Sequence, residues 1–150
     1  MAQPFADVMK DYLAERKLNL TPDEFGVLFS LVPVMLVGTS DYTLDKTETE
    51  YLKNCTDAFA ESLSNKGASP ERIAELKAIF RQEAEYLLEK LANWERRALL
   101  GLEEFLRGQP SYKEPIRKYL EGMAAISKGV NRYEQNLLMD LCFRLNIPLA

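Results

Sequence analysis

The stretch "TPDEFGVLFSLVPVMLVG", residues 21–38, decides the fold of this chain. Thr21 stands where a helix N-cap belongs, Pro22 occupies the first helical position, and Glu24 lies three residues after the cap. This spacing predicts a capping box, with proline placed where its missing N–H costs nothing. A helix therefore begins at Pro22.

The rest of this helix is apolar on every side, from Phe25 to Val37. Its apolar run is too short to cross a bilayer, and a helix without a polar face must be enclosed by others. We therefore predict a helix over 22–38 at the centre of a bundle. Proline inside a helix distorts it, so we expect a kink at Pro33.

Five further helical segments follow from apolar periodicity and end signals. The segment that includes Trp94 is long enough to be one helix, or two with a break near Asn93 or Gly101. The five cover about residues 3–17, 45–64, 70–106, 113–127 and 131–145. The pattern predicts an all-α fold: one domain over 1–150, a bundle of six or seven helices around the central one.

Composition narrows the classes of function. The chain has 47% hydrophobic and 28% charged residues, which is typical of a globular protein rather than a disordered one. A net charge of −4 does not favour binding to nucleic acid. The absence of histidine removes the usual general base and the commonest zinc ligand. No catalytic motif is present, so we expect a protein that is not an enzyme.

The two cysteines, Cys55 and Cys142, lie in apolar helical contexts. They are typical of reduced, buried thiols in a cytosolic protein. The opening residues, "MAQPFADVMK", have neither the basic nor the apolar region of a signal peptide. We therefore expect a cytoplasmic location and no membrane insertion.

Two acidic stretches between helices share one spacing. In "DYTLDKTE", residues 41–48, Asp45 is a candidate cap with Glu48 three residues later. In "SKGVNRYE", residues 127–134, Asn131 and Glu134 repeat that relation. Each stretch follows a mostly apolar helix and opens an amphipathic one, which favours a twofold repeat of helix, acidic loop and helix.

These residues resemble the motif of tellurite-resistance TerB-like domains: Asp41, Leu44, Asp45 and Glu48 in the first copy, and Val130, Asn131 and Glu134 in the second. The chain departs from the family pattern at Tyr42, which replaces a glycine, and at Ser127, which replaces an aspartate. The resemblance implies a compact helical domain linked to tellurite or general stress resistance. It also implies an acidic surface that holds divalent cations.

The resemblance makes Asp41, Glu48 and Glu134 the candidate metal ligands, with Asp45 and Asn131 as helpers. Hard cations such as Ca²⁺ or Mg²⁺ take several oxygen ligands from more than one element. The competing interpretation needs no metal, because carboxylates at a helix start also cap it and interact favourably with its N-terminus.

A second hypothesis places function on the segment "LANWERRALLGLEEFLRG", residues 91–108, whose apolar residues also occur off its main stripe. If the bundle leaves Trp94, Leu99 and Leu106 uncovered, they form a dimer interface or a partner groove. If it covers them, they are core. We thus expect a non-enzymatic TerB-like stress-response domain, or alternatively a helical protein-interaction module without a metal site.

Overall fold

The computed structural model describes the backbone of residues 3–38, 44–126 and 132–148, and the side chains of these residues except 132–137. This part of the chain is all-helical and contains no strand. Two short 3-10 helices, Leu63–Lys66 and Pro110–Tyr112, accompany the α-helices. The α-helices are α1 (Pro4–Arg16), α2 (Pro22–Phe29), α3 (Leu31–Gly38), α4 (Lys46–Ser62), α5 (Pro70–Glu89), α6 (Leu91–Gly108), α7 (Lys113–Ile126) and α8 (Arg132–Arg144).

The consecutive helices α2 and α3 form the centre of the bundle. Every residue from Glu24 to Gly38 is buried. Helix α2 packs against α4 and α6, and α3 packs against α4, α6, α7 and α8. The predicted all-α bundle around this apolar stretch is therefore confirmed.

The central stretch is divided at Ser30, three residues before the kink that we expected at Pro33. Pro33 has no N–H to donate to the carbonyl of Phe29, and its ring crowds that carbonyl. The break in the helix therefore lies about one turn before Pro33, at Ser30. The Ser30 hydroxyl donates to the Gly26 carbonyl at 2.9 Å, and its backbone N–H also reaches Gly26 O at 3.0 Å.

The long segment after Pro70 divides at Lys90, three residues before Asn93 and well before Gly101. Lys90 leaves helical geometry, with φ −109° and ψ 23°. Helix α5 packs chiefly against α4, whereas α6 packs chiefly against α1. One straight helix could not serve both neighbours, and tertiary packing sets the break.

Gly101 lies within α6, where it lets α1 come close. A Cβ atom at this position would lie 2.9 Å from Val8 Cγ1 and 3.2 Å from Phe5 Cα. The glycine therefore marks a close helix crossing rather than a helix end.

Two other expectations concern burial and membrane insertion. Cys55 and Cys142 are both free and buried, and burial raises the pKa of Cys55 to about 12. Within the described residues, no helix is long and apolar enough to span a membrane.

Candidate functional site

The start of α4 shows what the acidic pair Asp45 and Glu48 does. Asp45 Oδ1 accepts from Glu48 N–H at 2.8 Å, and Glu48 Oε1 accepts from Asp45 N–H at 2.9 Å. This is the predicted capping box. Each carboxylate uses one oxygen in the cap, and Glu48 is buried.

The other candidate cation ligands lie outside the part of the chain that the structure describes. Asp41 and Asn131 lie outside the described residues, and so does the side chain of Glu134. Over the described residues, no three acidic or cysteine side chains come together as a metal-binding group. The prediction of a cation held by both acidic stretches is therefore neither supported nor opposed by the geometry.

The cap itself makes a testable prediction. Asp45→Ala removes the acceptor for Glu48 N–H, so we expect the free energy of unfolding to fall by about 1 kcal/mol. Asp45→Asn keeps a side-chain oxygen and should cost only a few tenths of that. Urea denaturation of both variants measures the difference. Equal losses would contradict the capping role.

The residues Trp94, Leu99 and Leu106 do not form an exposed patch, because all three are buried. The indole N–H of Trp94 donates to Tyr86 Oη at 3.2 Å, and its ring lies 5.0 Å from that of Tyr12. These three side chains therefore belong to the core, which was the alternative to an exposed interface. Leu100, which follows Leu99 in the sequence, is 40% exposed.

A buried polar cluster joins α1 to α5. Glu83 is 2% exposed and accepts from Tyr12 Oη at 2.7 Å and from Arg16 Nε at 2.8 Å. Burial, and then the hydrogen bond to Glu83, raises the pKa of the Tyr12 hydroxyl above its usual range. The Arg16 guanidinium also lies 3.8 Å from the centre of the Tyr86 ring. Because each charged group faces its partner, this cluster is suited to holding helices together rather than to acid–base chemistry.

A second ion pair holds α2 to α5. Arg72 donates to Glu24 Oε1 through Nη2 at 2.7 Å and to Oε2 through Nε at 3.0 Å. The hydrogen bonds from Arg72 lower the pKa of the Glu24 carboxyl. Glu24 also closes the capping box with Thr21, as predicted. Both oxygens of its carboxylate therefore accept hydrogen bonds that stabilise the fold.

The feature that sequence reasoning missed is on α8. Phe143 is 89% exposed and Met139, one helical turn earlier, is 53% exposed. Asp140 and Arg144 are exposed beside them. We call these four residues, Met139, Asp140, Phe143 and Arg144, the outward face of α8.

A signal for this face was present in the sequence. Leu141, Cys142 and Leu145 are buried and Leu138 is packed against the core, which defines the inner side of α8 at the spacing expected of an amphipathic helix. Met139 and Phe143 fall on the opposite side. They are large apolar residues in a place where polar ones are usual.

A groove of about 480 Å³ runs between α6 and α8. Its floor is apolar, made by Leu36, Leu99 and Leu141. Charged side chains line its walls: Glu95 and Arg96 from α6, and Asp140 and Arg144 from α8. Asp140 and Arg144 therefore belong both to the groove and to the outward face of α8.

Comparison of this chain with protein-family models, curated proteins and solved structures finds no match.

Proposed function

We propose that this protein is a helical interaction module that binds another polypeptide through the outward face of α8 and the adjoining groove. The observation that carries the proposal is the exposure of Phe143 at 89%, with Met139 one turn away at 53%. Among the described residues these two and Leu100 are the only large hydrophobic side chains that are exposed.

Their position supports recognition rather than folding. Large apolar side chains gathered on one surface and bordered by charges are typical of interaction sites. Here the charges next to the apolar pair are Asp140 and Arg144, which also line the groove to α6. An aromatic anchor with a polar rim is the arrangement that concentrates binding energy at protein interfaces.

The variant Phe143→Ser distinguishes a role of Phe143 in binding from a role in folding. Because Phe143 is almost fully exposed, we expect the change to alter the free energy of unfolding by less than about 0.5 kcal/mol. Urea denaturation of the variant checks this. A loss of several kcal/mol would mean that the phenyl ring belongs to the core.

Site-specific photo-crosslinking in cells tests the binding role. A benzophenone amino acid at position 143 should give a defined crosslinked product, while the same group at Lys10, an exposed position on α1, should not. A polypeptide identified in this way is then purified, and its affinity for the wild type and for Phe143→Ser is compared. We expect the variant to bind at least about tenfold more weakly. The absence of any product specific to position 143 would overturn the proposal.

The TerB-like hypothesis with a bound cation stays a prediction, and it has its own test. Ca²⁺ or Mg²⁺ at one hundred times its dissociation constant should add about 2.7 kcal/mol to the stability of the wild type relative to EDTA. The variant Asp41→Asn/Glu48→Gln should lose that gain. A melting temperature of the wild type that no divalent ion changes would contradict the cation site.

A further inference from the structure

The outward face of α8 carries a pattern that is complementary to itself. An apolar residue followed by an acid, Met139–Asp140, is repeated one helical turn later as an apolar residue followed by a base, Phe143–Arg144. Residues four apart lie on the same side of a helix. All four side chains are exposed.

Among the described side chains of α8, the four on the outward face are complementary to a second copy of themselves when the two helices run antiparallel. In an antiparallel pair, Met139 of one copy faces Phe143 of the other, and Asp140 faces Arg144. In a parallel pair related by a twofold axis along the helices, the stripe of Asp140 and Arg144 in one copy faces the stripe of Met139 and Phe143 in the other, so both charges are desolvated without an opposite charge beside them. The antiparallel arrangement is the one that a twofold axis perpendicular to the helix generates, and such an interface is isologous.

The charges on this surface are available for contacts with a second molecule. Within the described residues, neither Asp140, Arg144 nor Arg96 takes part in a salt bridge inside the protomer. The pair Asp140 and Arg144 is one turn apart on the same helix, yet the two side chains do not join. Arg117, in contrast, pairs with Glu121 one turn away on α7.

We infer that the polypeptide which binds the outward face of α8 is a second copy of this chain, in a twofold dimer with antiparallel α8 helices. The inference rests on the proposed function, since it names the partner of the same surface. Phe143 and Met139 supply the apolar contact of each half, and the two Asp140–Arg144 pairs set the orientation. A contact built mainly on one helix from each copy is small, so the dimer is expected to dissociate at micromolar rather than nanomolar concentration.

Charge exchange at two positions tests the pairing. Asp140→Arg places Arg against Arg144 twice in the dimer, and Arg144→Asp places Asp against Asp140 twice. Each variant alone should dimerise at least about tenfold more weakly than the wild type. A mixture of the two should form a heterodimer, because every facing pair is then of opposite charge. The double variant Asp140→Arg/Arg144→Asp should dimerise like the wild type.

The matched control uses the same charge changes on another helix. Glu50→Arg and Lys53→Asp are three residues apart on the exposed side of α4 and alter the net charge by the same amounts. These variants should form homodimers as readily as the wild type and show no preference for the heterodimer. Sedimentation equilibrium and native mass spectrometry follow all species, and circular dichroism confirms that each variant is folded.

Other results would overturn the inference. A wild type that remains a 17.2 kDa monomer up to near-millimolar concentration contradicts it. So does a dimer that Phe143→Glu leaves intact, because the contact would then lie elsewhere. If the wild type is monomeric while the crosslink from position 143 reaches a different protein, the second copy is excluded and the interaction module stands. If no crosslink forms either, both proposals fail.

Discussion

Glu83→Ala is expected to lower the free energy of unfolding by about 3 kcal/mol, because it removes one partner of a buried pair and leaves the others. Glu83 is the shared acceptor of the Tyr12 hydroxyl and of two Arg16 N–H groups. Without it, a buried phenol has no acceptor and a guanidinium loses its counter-charge. Part of the Arg16 side chain reaches solvent, at 25% exposure, which keeps the loss toward the lower end of the usual range.

Two comparisons isolate this effect. Glu83→Gln keeps an acceptor of the same shape for Tyr12 and should be less damaging than alanine. Glu61→Ala breaks the exposed contact with Lys77 and should cost less than about 1 kcal/mol, since surface ion pairs contribute little. Guanidinium denaturation curves of the three variants measure the differences. Equal effects of Glu83→Ala and Glu61→Ala would show that the buried cluster does not hold α1 to α5.

Gly26→Ala is expected to lower the free energy of unfolding by about 2 kcal/mol, against the usual gain from placing alanine in a helix. A Cβ atom at this position would lie 2.4 Å from two carbons of the Phe105 ring. That ring stacks on Phe5 at 5.1 Å and on Tyr112 at 5.5 Å between ring centres, so it cannot move aside freely. The clash therefore outweighs the gain in helix propensity.

Gly108→Ala is the matched control. Gly108 ends α6, and a Cβ atom there would have no atom within 4 Å. We expect its stability to equal or exceed that of the wild type. Thermal unfolding compares the two substitutions directly. A stable Gly26→Ala protein would mean that α2 and α6 do not approach each other as closely as the structure shows.

The sequence predicts the centre of this fold well because the relevant signals are local. The caps at Thr21 and Asp45 depend on a side chain and an N–H three residues later, and both form as expected. Gly67 ends the helical run after α4 with φ 89°, a conformation that favours glycine. The enclosed position of residues 25–37 follows from their lack of any polar face.

The division at Lys90 could not be predicted in this way. No glycine or proline is present there, and Lys90 itself is an ordinary helix former. The break arises because α5 and α6 have different neighbours, α4 and α1. Such a cause is tertiary, and neither periodicity nor a local signal contains it.

The same distinction between local and tertiary causes applies to the candidate sites. The roles of Asp45 and Glu48 as caps are local and could be read from their spacing. Whether Trp94 is exposed depends on α1, whose Tyr12 covers its ring. The exposure of Phe143 was open to prediction from the amphipathic pattern of α8, but the groove beside α8 also requires α6, which is distant in the sequence.

Hydroxyl-radical footprinting of the wild type at low and high protein concentration tests most directly whether the outward face of α8 becomes an interface. Methionine and phenylalanine react readily with the radical when solvent reaches them. We predict that Met139 and Phe143 are oxidised at low concentration and become protected as the concentration rises, while the partly buried Met9 on α1 reacts to the same extent at both concentrations. Unchanged oxidation of Met139 and Phe143 over the whole range would contradict the account.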